Sequence, residues 1–417
     1  MSGEMQDNGK RKGSARRPPR KRRLGQTLGI PALAILTALV VSALFIVGSD
    51  REVYQGFQGG IGPGLAAAGR SIGKAYGSLL EGSFGNPAKI TRGIRTLIAT
   101  QDGTALRDSL NEISESLTAL VPYVFAGLAV ALGFRCGLFN IGVEGQLFVG
   151  ALAAAYLGYS ISGLPAYIHL PVAMLGGALA GALWASVAGL LKAWRGVHEV
   201  ITTIMMNYMA FRLSDYLLTG PMKRPGFSPL SPMIQDTAKL PQLVPPLRFH
   251  IGFFVALAFA VLAWWFLWKT TLGFEIRTVG ANPDAARYAG ISVSRNTILA
   301  MALSGALAGM AGANEVLGVN YFMAQAFSSG YGFDSIALAL LGKSHPLWVV
   351  LASFLWGFLR SGAIRMQLRA SVPIDIIFVI QAMVIVFVAA PELVRGLYRI
   401  RVEREAEEAI FARGWGG

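Results

Sequence analysis

Long, mostly apolar stretches recur along most of this chain. Several reach the roughly 20 residues that an α-helix needs to cross a hydrocarbon core of about 30 Å. They lie at 28–48, 114–133, 145–165, 170–192, 199–219, 250–268, 295–316, 346–361 and 374–391. A further stretch, 333–342, is too short to cross alone and is expected to be a half-helix. The pattern predicts an all-α integral membrane protein with about ten transmembrane helices, one of them short or broken.

Composition agrees with a membrane protein and narrows the chemistry. The chain is 53% hydrophobic and only 14% charged, against about 25% charged residues in soluble domains. Glycine and alanine are concentrated at 174–189 and 302–313, which predicts closely packed helices. The single Cys136 excludes an intramolecular disulfide, and the four histidines have no metal-ligand spacing. We therefore expect no metal and no cofactor.

Basic residues are concentrated at the N-terminus. Lys10 to Arg23 hold nine Lys and Arg residues, within a chain of net charge +14. Such a run can bind nucleic acid, but this one directly precedes the first apolar stretch, where the positive-inside rule assigns it to the cytoplasm. We expect no nucleic-acid partner and an uncleaved first span. The predicted parts are a basic cytoplasmic tail 1–27, a transmembrane domain 28–391 with a cytoplasmic loop 269–294 and an external loop 220–248, and a cytoplasmic tail 392–417.

Two features fit this topology less simply. Residues 51–112 mix apolar patches with glycine, proline and charge, and are interpreted as an external amphipathic insertion. Arg360, Arg365 and Arg369 would lie on or near the outer side, where basic residues are under-represented.

Polar residues and glycines interrupt the apolar pattern at 133–151, "GFRCGLFNIGVEGQLFVGA". Glycine permits a helix break, Asn140 and Gln146 can bond the freed backbone groups, and Glu144 is costly at membrane depth without a partner. The stretch is either a short cytoplasmic turn or a broken helix beside a translocation path, and the residues alone favour neither. Asn207, at mid-span in 199–219, is expected to face protein or a cavity.

A second polar region surrounds Asp334. Aromatic residues are dense before it, at Tyr321, Phe322, Phe327, Tyr331 and Phe333. They are either ordinary interfacial aromatics or the lining of a vestibule in which a ring can stack.

The most polar stretch of the hydrophobic body, 273–296, contains a helix-start signature. Asn282 can cap, Pro283 suits the first helical position, Asp284 complements the helix dipole, and Gly290 provides a stop. This predicts a two-turn helix, parallel to the membrane and exposed to the cytoplasm. It is either a solvated connection or a docking surface for a partner.

No catalytic or nucleotide-binding site is predicted. Gly342-Lys343-Ser344 resembles the end of a phosphate-binding loop, but the required earlier glycine is replaced by Ala337. No Ser/His/Asp or Cys/His arrangement and no paired carboxylates on a span occur. We expect no enzyme activity, so energy for any transport has to come from another subunit or an ion gradient.

Four segments carry a family resemblance: "GLFNIGVEGQLFVGA", "EVITTIMMNYMA", "GFEIRTVGANPDAARYAGI" and "GFDSIALALLG". They resemble permease subunits of bacterial ATP-binding-cassette importers. The group is the branched-chain amino acid/ribose permease superfamily, and within it the nucleoside permeases that work with basic-membrane-protein-type lipoproteins. The resemblance covers roughly 114–391. Relatives more often have glycine where this chain has Ser335, which can narrow that turn or form new hydrogen bonds in it.

The resemblance implies a ten-helix permease with two inverted pseudo-repeats, in the inner membrane. Its implied partners are ABC ATPase subunits, a second homologous permease, a periplasmic or lipoprotein substrate-binding protein, membrane lipid and a small-molecule substrate. The resemblance also implies that the break at 137–146 lines the translocation path, and the polar residues we expect near this path are Asn140, Glu144, Gln146, Asn207 and Asp334. Those implied to couple to the ATPase are Asn282, Pro283, Asp284, Ala285, Ala286, Arg287, Tyr288 and Gly290.

The expected function is ATP-dependent import of a nucleoside, of the purine type. A simple-sugar permease is the alternative within the same superfamily. A proton-driven secondary transporter is the alternative from another class, but it needs titratable residues in several spans, and few are present. A membrane-embedded enzyme ranks third, because no catalytic constellation occurs.

Overall fold

The computed structural model describes residues 24–370, 372–373 and 375–399. These residues form α-helices and no β-strand, apart from two isolated bridges. The first half of the chain contains α1 (Leu24–Ser49), α2 (Arg51–Gln58), α3 (Ile61–Phe84), α4 (Pro87–Thr100), α5 (Thr104–Ser109), α6 (Asn111–Arg135), α7 (Val143–Ser160), α8 (Ala166–Arg195) and α9 (Glu199–Thr219). The second half contains α10 (Gly252–Lys269), α11 (Thr271–Ala281), α12 (Pro283–Tyr288), α13 (Val293–Glu315), α14 (Tyr331–Leu341), α15 (Pro346–Ala370), α16 (Asp375–Ala389) and α17 (Pro391–Leu397).

Each predicted apolar stretch coincides with one helix, and the all-α class is confirmed. Among the described residues, six helices are long and apolar enough to span a membrane, namely α1, α6, α8, α10, α13 and α15. Helices α14 and α16 are apolar but shorter. Helices α7 and α9 have the length of a span but carry more polar residues. The chain is therefore a multi-pass membrane protein, while the count of ten spans stays a prediction.

The centre of the bundle is α13, which packs against α6, α7 and α8. Glycine makes the closest of these contacts possible. A methyl group added to Gly309 would lie 2.2 Å from the carbonyl oxygen of Gly177, and one added to Gly181 would lie 2.2 Å from that of Gly305. The close packing predicted for 174–189 and 302–313 is thus present in the structure.

Residues 51–109 form α2 to α5, and α3 packs along α15. Ser83 donates a hydrogen bond of 2.6 Å to the carbonyl oxygen of Phe358. Two basic residues of α15 form ion pairs there: Arg365 with Glu112, and Arg369 with Glu81. The external position of this segment stays a prediction. Its packing nevertheless explains how α15 accommodates two of the three arginines that the topology left unexplained.

The predicted tails lie largely outside the described residues. Of the tail 1–27, the structure describes only residues 24–27, which belong to α1. Of the tail 392–417, it describes residues 392–399, most of which belong to α17. Helix α17 packs against α1, and Val394 is buried.

Candidate translocation site

The interruption predicted at 133–151, as either a short turn or a broken helix, lies between two helices of the structure. Helix α6 ends at Arg135, a turn covers 136–142, and α7 begins at Val143. Gly137 has φ +73°, a left-handed conformation that glycine adopts without strain. The Leu138 N–H donates to the carbonyl oxygen of Gly133 over 3.0 Å, which ends α6 with a tight turn. The chain therefore leaves regular helix and re-enters it inside the bundle.

Two buried amide side chains hold this turn together. The Asn140 Nδ2 group donates to Gln146 Oε1 over 3.0 Å and to Ser304 Oγ over 2.9 Å. Asn140 Oδ1 accepts from the Gly142 N–H over 2.9 Å and from Gln146 Nε2 over 3.1 Å. Ser304 in turn donates to the carbonyl oxygen of Ala129 over 2.7 Å. Asn140 and Gln146 thus bind each other and fasten the break to α6 and α13.

Asn207 supports the same break from α9. Its Oδ1 atom accepts from the Gly145 N–H over 2.8 Å, and its Nδ2 group donates to the carbonyl oxygen of Ile141 over 3.0 Å. A helix start leaves backbone N–H groups without partners, and a buried amide supplies one. The expectation that Asn207 faces protein is confirmed. Contact of Asn140, Gln146 or Asn207 with a substrate stays a prediction.

Glu144 joins the starts of α7 and α14. Its carboxylate accepts a hydrogen bond from the Gly332 N–H and also interacts with the Ser328 hydroxyl and the Phe333 N–H. A methyl group on Gly332 would lie 2.3 Å from the Glu144 nitrogen, so the two helix starts are in direct contact. The positive ends of two helix dipoles converge here, which favours a carboxylate at this place.

Asp334 lies one turn into α14 and is partly exposed. The Tyr123 hydroxyl donates to Asp334 Oδ2 over 3.1 Å, and the ring of Tyr123 meets that of Tyr331 edge-on at 5.0 Å between centroids. Ser335 donates to the carbonyl oxygen of Gly332 over 2.6 Å, which is the hydrogen bond anticipated for that turn. Carboxylates, hydroxyls and aromatic edges therefore lie together beside the break.

Three residues of this site were not anticipated. Tyr123 and Ser304 lie inside apolar spans, and Ser328 lies in a loop next to Ser329 and Gly330. Nothing in the local sequence marks these residues, because their role depends on distant partners. Ser304 bonds to Asn140, 164 residues away, and Tyr123 bonds to Asp334, 211 residues away. The one sequence signal for such a site residue is a polar side chain within an apolar stretch. Many polar side chains in that setting only pack within the bundle, so the signal is not specific.

The predicted capped helix is present as α12, Pro283–Tyr288. The Asn282 side chain accepts from the N–H groups of Asp284 and Ala285, each over 3.0 Å. Gly290 has φ +80°, and the Ile291 N–H donates to the carbonyl oxygen of Ala286 over 2.9 Å, which closes the C-terminal end. Ala286 is fully buried, whereas Tyr288 is 97% exposed. The helix is thus anchored on one side and open on the other.

The loop predicted at 269–294 contains one helix that the sequence did not suggest. Helix α11 precedes α12 and ends against the break. A methyl group on Gly280 would lie 2.2 Å from the Arg135 carbonyl oxygen and 2.8 Å from the Gly137 nitrogen. The segment that presents α12 is therefore in backbone contact with the turn that sets the start of α7.

Comparison with known proteins finds permease relatives over most of the chain. A guanosine permease protein of an ABC transporter, NupP of Bacillus subtilis, is 38% identical over 88% of this chain and 94% of its own. A glucose permease protein, TsgB13 of Haloferax volcanii, is 39% identical over 70% of this chain and 79% of its own. A nucleoside permease protein, NupB of Lactococcus lactis, is 33% identical over 73% and 86%. No solved structure matches the chain. Residues 112–389 match the family described as "Branched-chain amino acid transport system / permease component", and the chain belongs to that family.

Proposed function

We propose that this chain is the permease subunit of an ATP-binding-cassette importer that moves nucleosides, of the purine type, across the bacterial inner membrane. The observation that carries the proposal is the similarity to a guanosine permease over 94% of that relative's length. A nucleoside offers ribose hydroxyls, base-edge donors and acceptors, and a ring that stacks. The groups beside the break have the complementary chemistry.

Within this proposal, the five polar residues divide into two roles. Asp334, partly exposed near the start of α14, presents a carboxylate that can accept from hydroxyl or base N–H groups, and the buried Glu144 holds the starts of α7 and α14 together beside it. Asn140, Gln146 and Asn207 shape the path by holding the break, since their amides already bond to protein. Tyr123 and Tyr331 supply aromatic surface next to Asp334.

Energy for transport comes, in this proposal, from ABC ATPase subunits that dock on α12 from the cytoplasm. The open side of α12 offers Arg287 and Tyr288, and buried Ala286 connects the helix to the bundle. Displacement of α12 would reach the break through Gly280 and so change how α7 and α14 meet. The chain itself is non-catalytic. A substrate-binding protein delivers the nucleoside from outside, and both termini of the chain are cytoplasmic.

The remaining architecture follows from the same proposal. The chain has ten spans in two inverted halves, and a second homologous permease completes the path. The meeting of the α7 and α14 starts at Glu144 supports such a pairing of halves, because each is a helix that begins inside the bundle after a break.

Simple sugars are the second candidate substrate class. The glucose permease relative is 39% identical over 70% of this chain, so sequence similarity alone does not separate the two classes. Ribose hydroxyls and hexose hydroxyls require the same acceptors, whereas only a nucleoside uses an aromatic surface for its base.

The substrate is tested with the complete transporter in proteoliposomes that contain ATP. We expect ATP-dependent uptake of labelled guanosine that unlabelled purine nucleosides suppress and glucose or ribose do not. A complex whose ATPase cannot hydrolyse ATP is the control. Uptake of glucose that nucleosides fail to suppress would establish the sugar alternative, and uphill uptake by the chain alone would contradict ATPase coupling.

The docking of α12 is tested by crosslinking, with Cys136 replaced by serine. Arg287→Cys is expected to crosslink to a nucleotide-binding subunit in membranes, because its side chain is on the open side of α12. Leu179→Cys, exposed at the middle of α8, is the control and is expected to give no such product. The same yield from both positions would contradict docking at α12.

A further inference from the structure

Helix α4 carries an apolar face and a cationic face along its 14 residues. Four large apolar residues recur at the spacing of one helix face, namely Ile90, Ile94, Leu97 and Ile98. The basic residues lie on the other side of the helix, namely Lys89, Arg92 and Arg95. Basic residues on one face and apolar residues on the other are typical of a helix that lies in a membrane interface.

The packing of α4 on α5 leaves part of the apolar face open. A methyl group on Gly93 would lie 2.6 Å from the Leu106 Cα atom, so the two helices are in close contact on that side. Among the described helices, α4 packs chiefly on α5. Ile94 is nevertheless 44% exposed and Ile98 is 77% exposed. Two isoleucines therefore form an uncovered apolar patch beside the cationic face.

The three basic residues of α4 have no acidic partner. All three are exposed, and within the part of the chain that the structure describes they form no ion pair. The carboxylates that flank α4 along the chain are used elsewhere: Glu81 pairs with Arg369, and Asp102 accepts from the N–H and hydroxyl groups of Thr104. An apolar patch bordered by unpaired cations is complementary to a partner that is both anionic and apolar.

The place of α4 in the bundle identifies that partner. A methyl group on Gly85, just before α4, would lie 3.2 Å from the Ser109 carbonyl oxygen, just before α6. Helix α4 therefore begins at the level where the candidate span α6 begins. Helix α6 has 25 residues and is about 38 Å long, which exceeds a hydrocarbon core of about 30 Å. Its far end, at Arg135, meets α11 at Gly280, so α4 and α12 lie at opposite ends of the bundle.

We propose that α4 lies in the membrane surface opposite α12 and binds the headgroups of anionic phospholipids. Ile94 and Ile98 enter the acyl boundary, which removes their apolar surface from water. Lys89, Arg92 and Arg95 stay at the level of the headgroups and attract their phosphates. The inference goes beyond the proposed function, because it concerns the lipid around the transporter and not the solute that it moves.

The position of α4 is tested in the complete transporter in lipid nanodiscs, with Cys136 replaced by serine. A fluorophore is attached to Ile94→Cys or Ile98→Cys on the apolar face. Ala99→Cys is the matched control, because it is exposed and follows Arg95 by one turn on the cationic face. We expect phospholipid with a nitroxide near its headgroup to quench the apolar-face labels at least about threefold more than the control, since an interfacial helix buries its apolar face about 5–10 Å deep. Aqueous iodide should show the reverse order.

The preference for anionic lipid is tested with the label at Ile98→Cys. Trace nitroxide-labelled phosphatidylglycerol is compared with nitroxide-labelled phosphatidylcholine, both in phosphatidylcholine nanodiscs. We expect the anionic lipid to quench at least about twofold more, because basic residues concentrate it around α4. The preference should vanish in the triple variant Lys89→Gln, Arg92→Gln and Arg95→Gln. It should persist in a control triple that neutralises exposed cations of α2 and α3, namely Arg51→Gln, Arg70→Gln and Lys74→Gln.

Every other outcome contradicts the proposal. Equal iodide quenching at all three label positions without quenching by lipid would place α4 in water. Protection of the Ile94 and Ile98 labels from both quenchers would identify a protein cover, such as a substrate-binding subunit, instead of lipid. Equal quenching by the two lipids in the singly labelled chain, or loss of the preference in the control triple, would show that the α4 cations do not select headgroups. None of these readouts needs a transported solute, so a failure here is distinguishable from a wrong substrate.

Discussion

At the break between α6 and α7, side-chain amides replace the hydrogen bonds that regular helix would provide. Asn140 has four hydrogen bonds to three residues, Gly142, Gln146 and Ser304. A buried donor or acceptor that loses its partner costs about 1–3 kcal/mol, so each amide stabilises the break well beyond one average hydrogen bond. At the residue scale, the polar groups of the candidate path are therefore first of all structural.

This view predicts the effect of changing Asn207. Asn207→Ala leaves the Gly145 N–H and the Ile141 carbonyl oxygen without partners, and we expect it to lower the unfolding temperature of the purified transporter by several degrees. The KM for uptake by the folded fraction should change little. Thr202→Ala, on the same helix, is the control. A raised KM at an unchanged unfolding temperature would instead identify Asn207 as a substrate contact.

At the scale of elements, the bundle depends on backbone-to-backbone contact between helices. Where α8 crosses α13, the carbonyl oxygens of Gly177 and Gly305 occupy the space that a Cβ atom would need. Membrane helices associate through such close packing, because lipid supplies no hydrophobic driving force between them.

Gly309→Ala is expected to destabilise the transporter. Its methyl group would meet the Gly177 carbonyl oxygen at 2.2 Å, and backbone cannot move aside as a flexible side chain does. Overpacking of this kind costs about 1–3 kcal/mol and is measured as a lower unfolding temperature in detergent. Gly69→Ala, which meets nothing within 4 Å, provides the comparison. Equal unfolding temperatures for the two variants would contradict close packing of α8 and α13.

Contact between α11 and the break gives a second prediction at this scale. Gly280→Ala would force α11 away from Arg135 and Gly137 while leaving α12 and its cap intact. We expect ATP hydrolysis to continue while uptake per ATP falls by about tenfold. A tenfold change lies within the usual range of coupling between two sites of a protein. Thr278→Ala, at a half-buried position of α11, should keep normal coupling. An unchanged ratio of uptake to hydrolysis in Gly280→Ala would exclude this route.

At the scale of the whole molecule, the N-terminal helices are joined to the permease bundle by α3 and α15. The side chains of Arg365 and Glu112 are only about one fifth exposed, 21% and 19%, so their ion pair is less screened than a surface pair. Arg369 and Glu81 form a more exposed pair beside it. This region connects residues 61–112 to the last third of the described chain.

Breaking the inner pair should weaken the contact between the start of α6 and α15. Glu112→Ala leaves Arg365 half-buried without its carboxylate, and we expect a lower unfolding temperature. The exchange Glu112→Arg with Arg365→Glu should restore part of the loss. If Glu112→Ala and Glu52→Ala, the latter at an exposed glutamate, have the same unfolding temperature, the Arg365–Glu112 pair contributes nothing to stability.

Local features of the fold could be predicted from the sequence because their causes are local. Apolar length indicated the long helices of the bundle other than α3, and Asn282, Pro283 and Gly290 indicated α12 with both of its ends. Helix α11 was missed, since "TLGFEIRTVGA" combines two glycines with weak apolar periodicity. The packing of α3 on α15 was missed as well, because the small residues and carboxylates involved resemble those of a surface segment.

Local signals in the sequence specify a helical membrane protein, the place where the helical pattern is interrupted, and the short helix that is capped, since apolar length, glycine and capping residues act within a few positions. The use of the polar residues follows from tertiary packing instead. Glu144 bonds to Gly332, 188 positions away, and Asn207 bonds to Gly145 from another helix. Helix packing determines which groups become hydrogen-bond partners. A sequence can therefore show that a buried polar group needs a partner without showing which residue provides it.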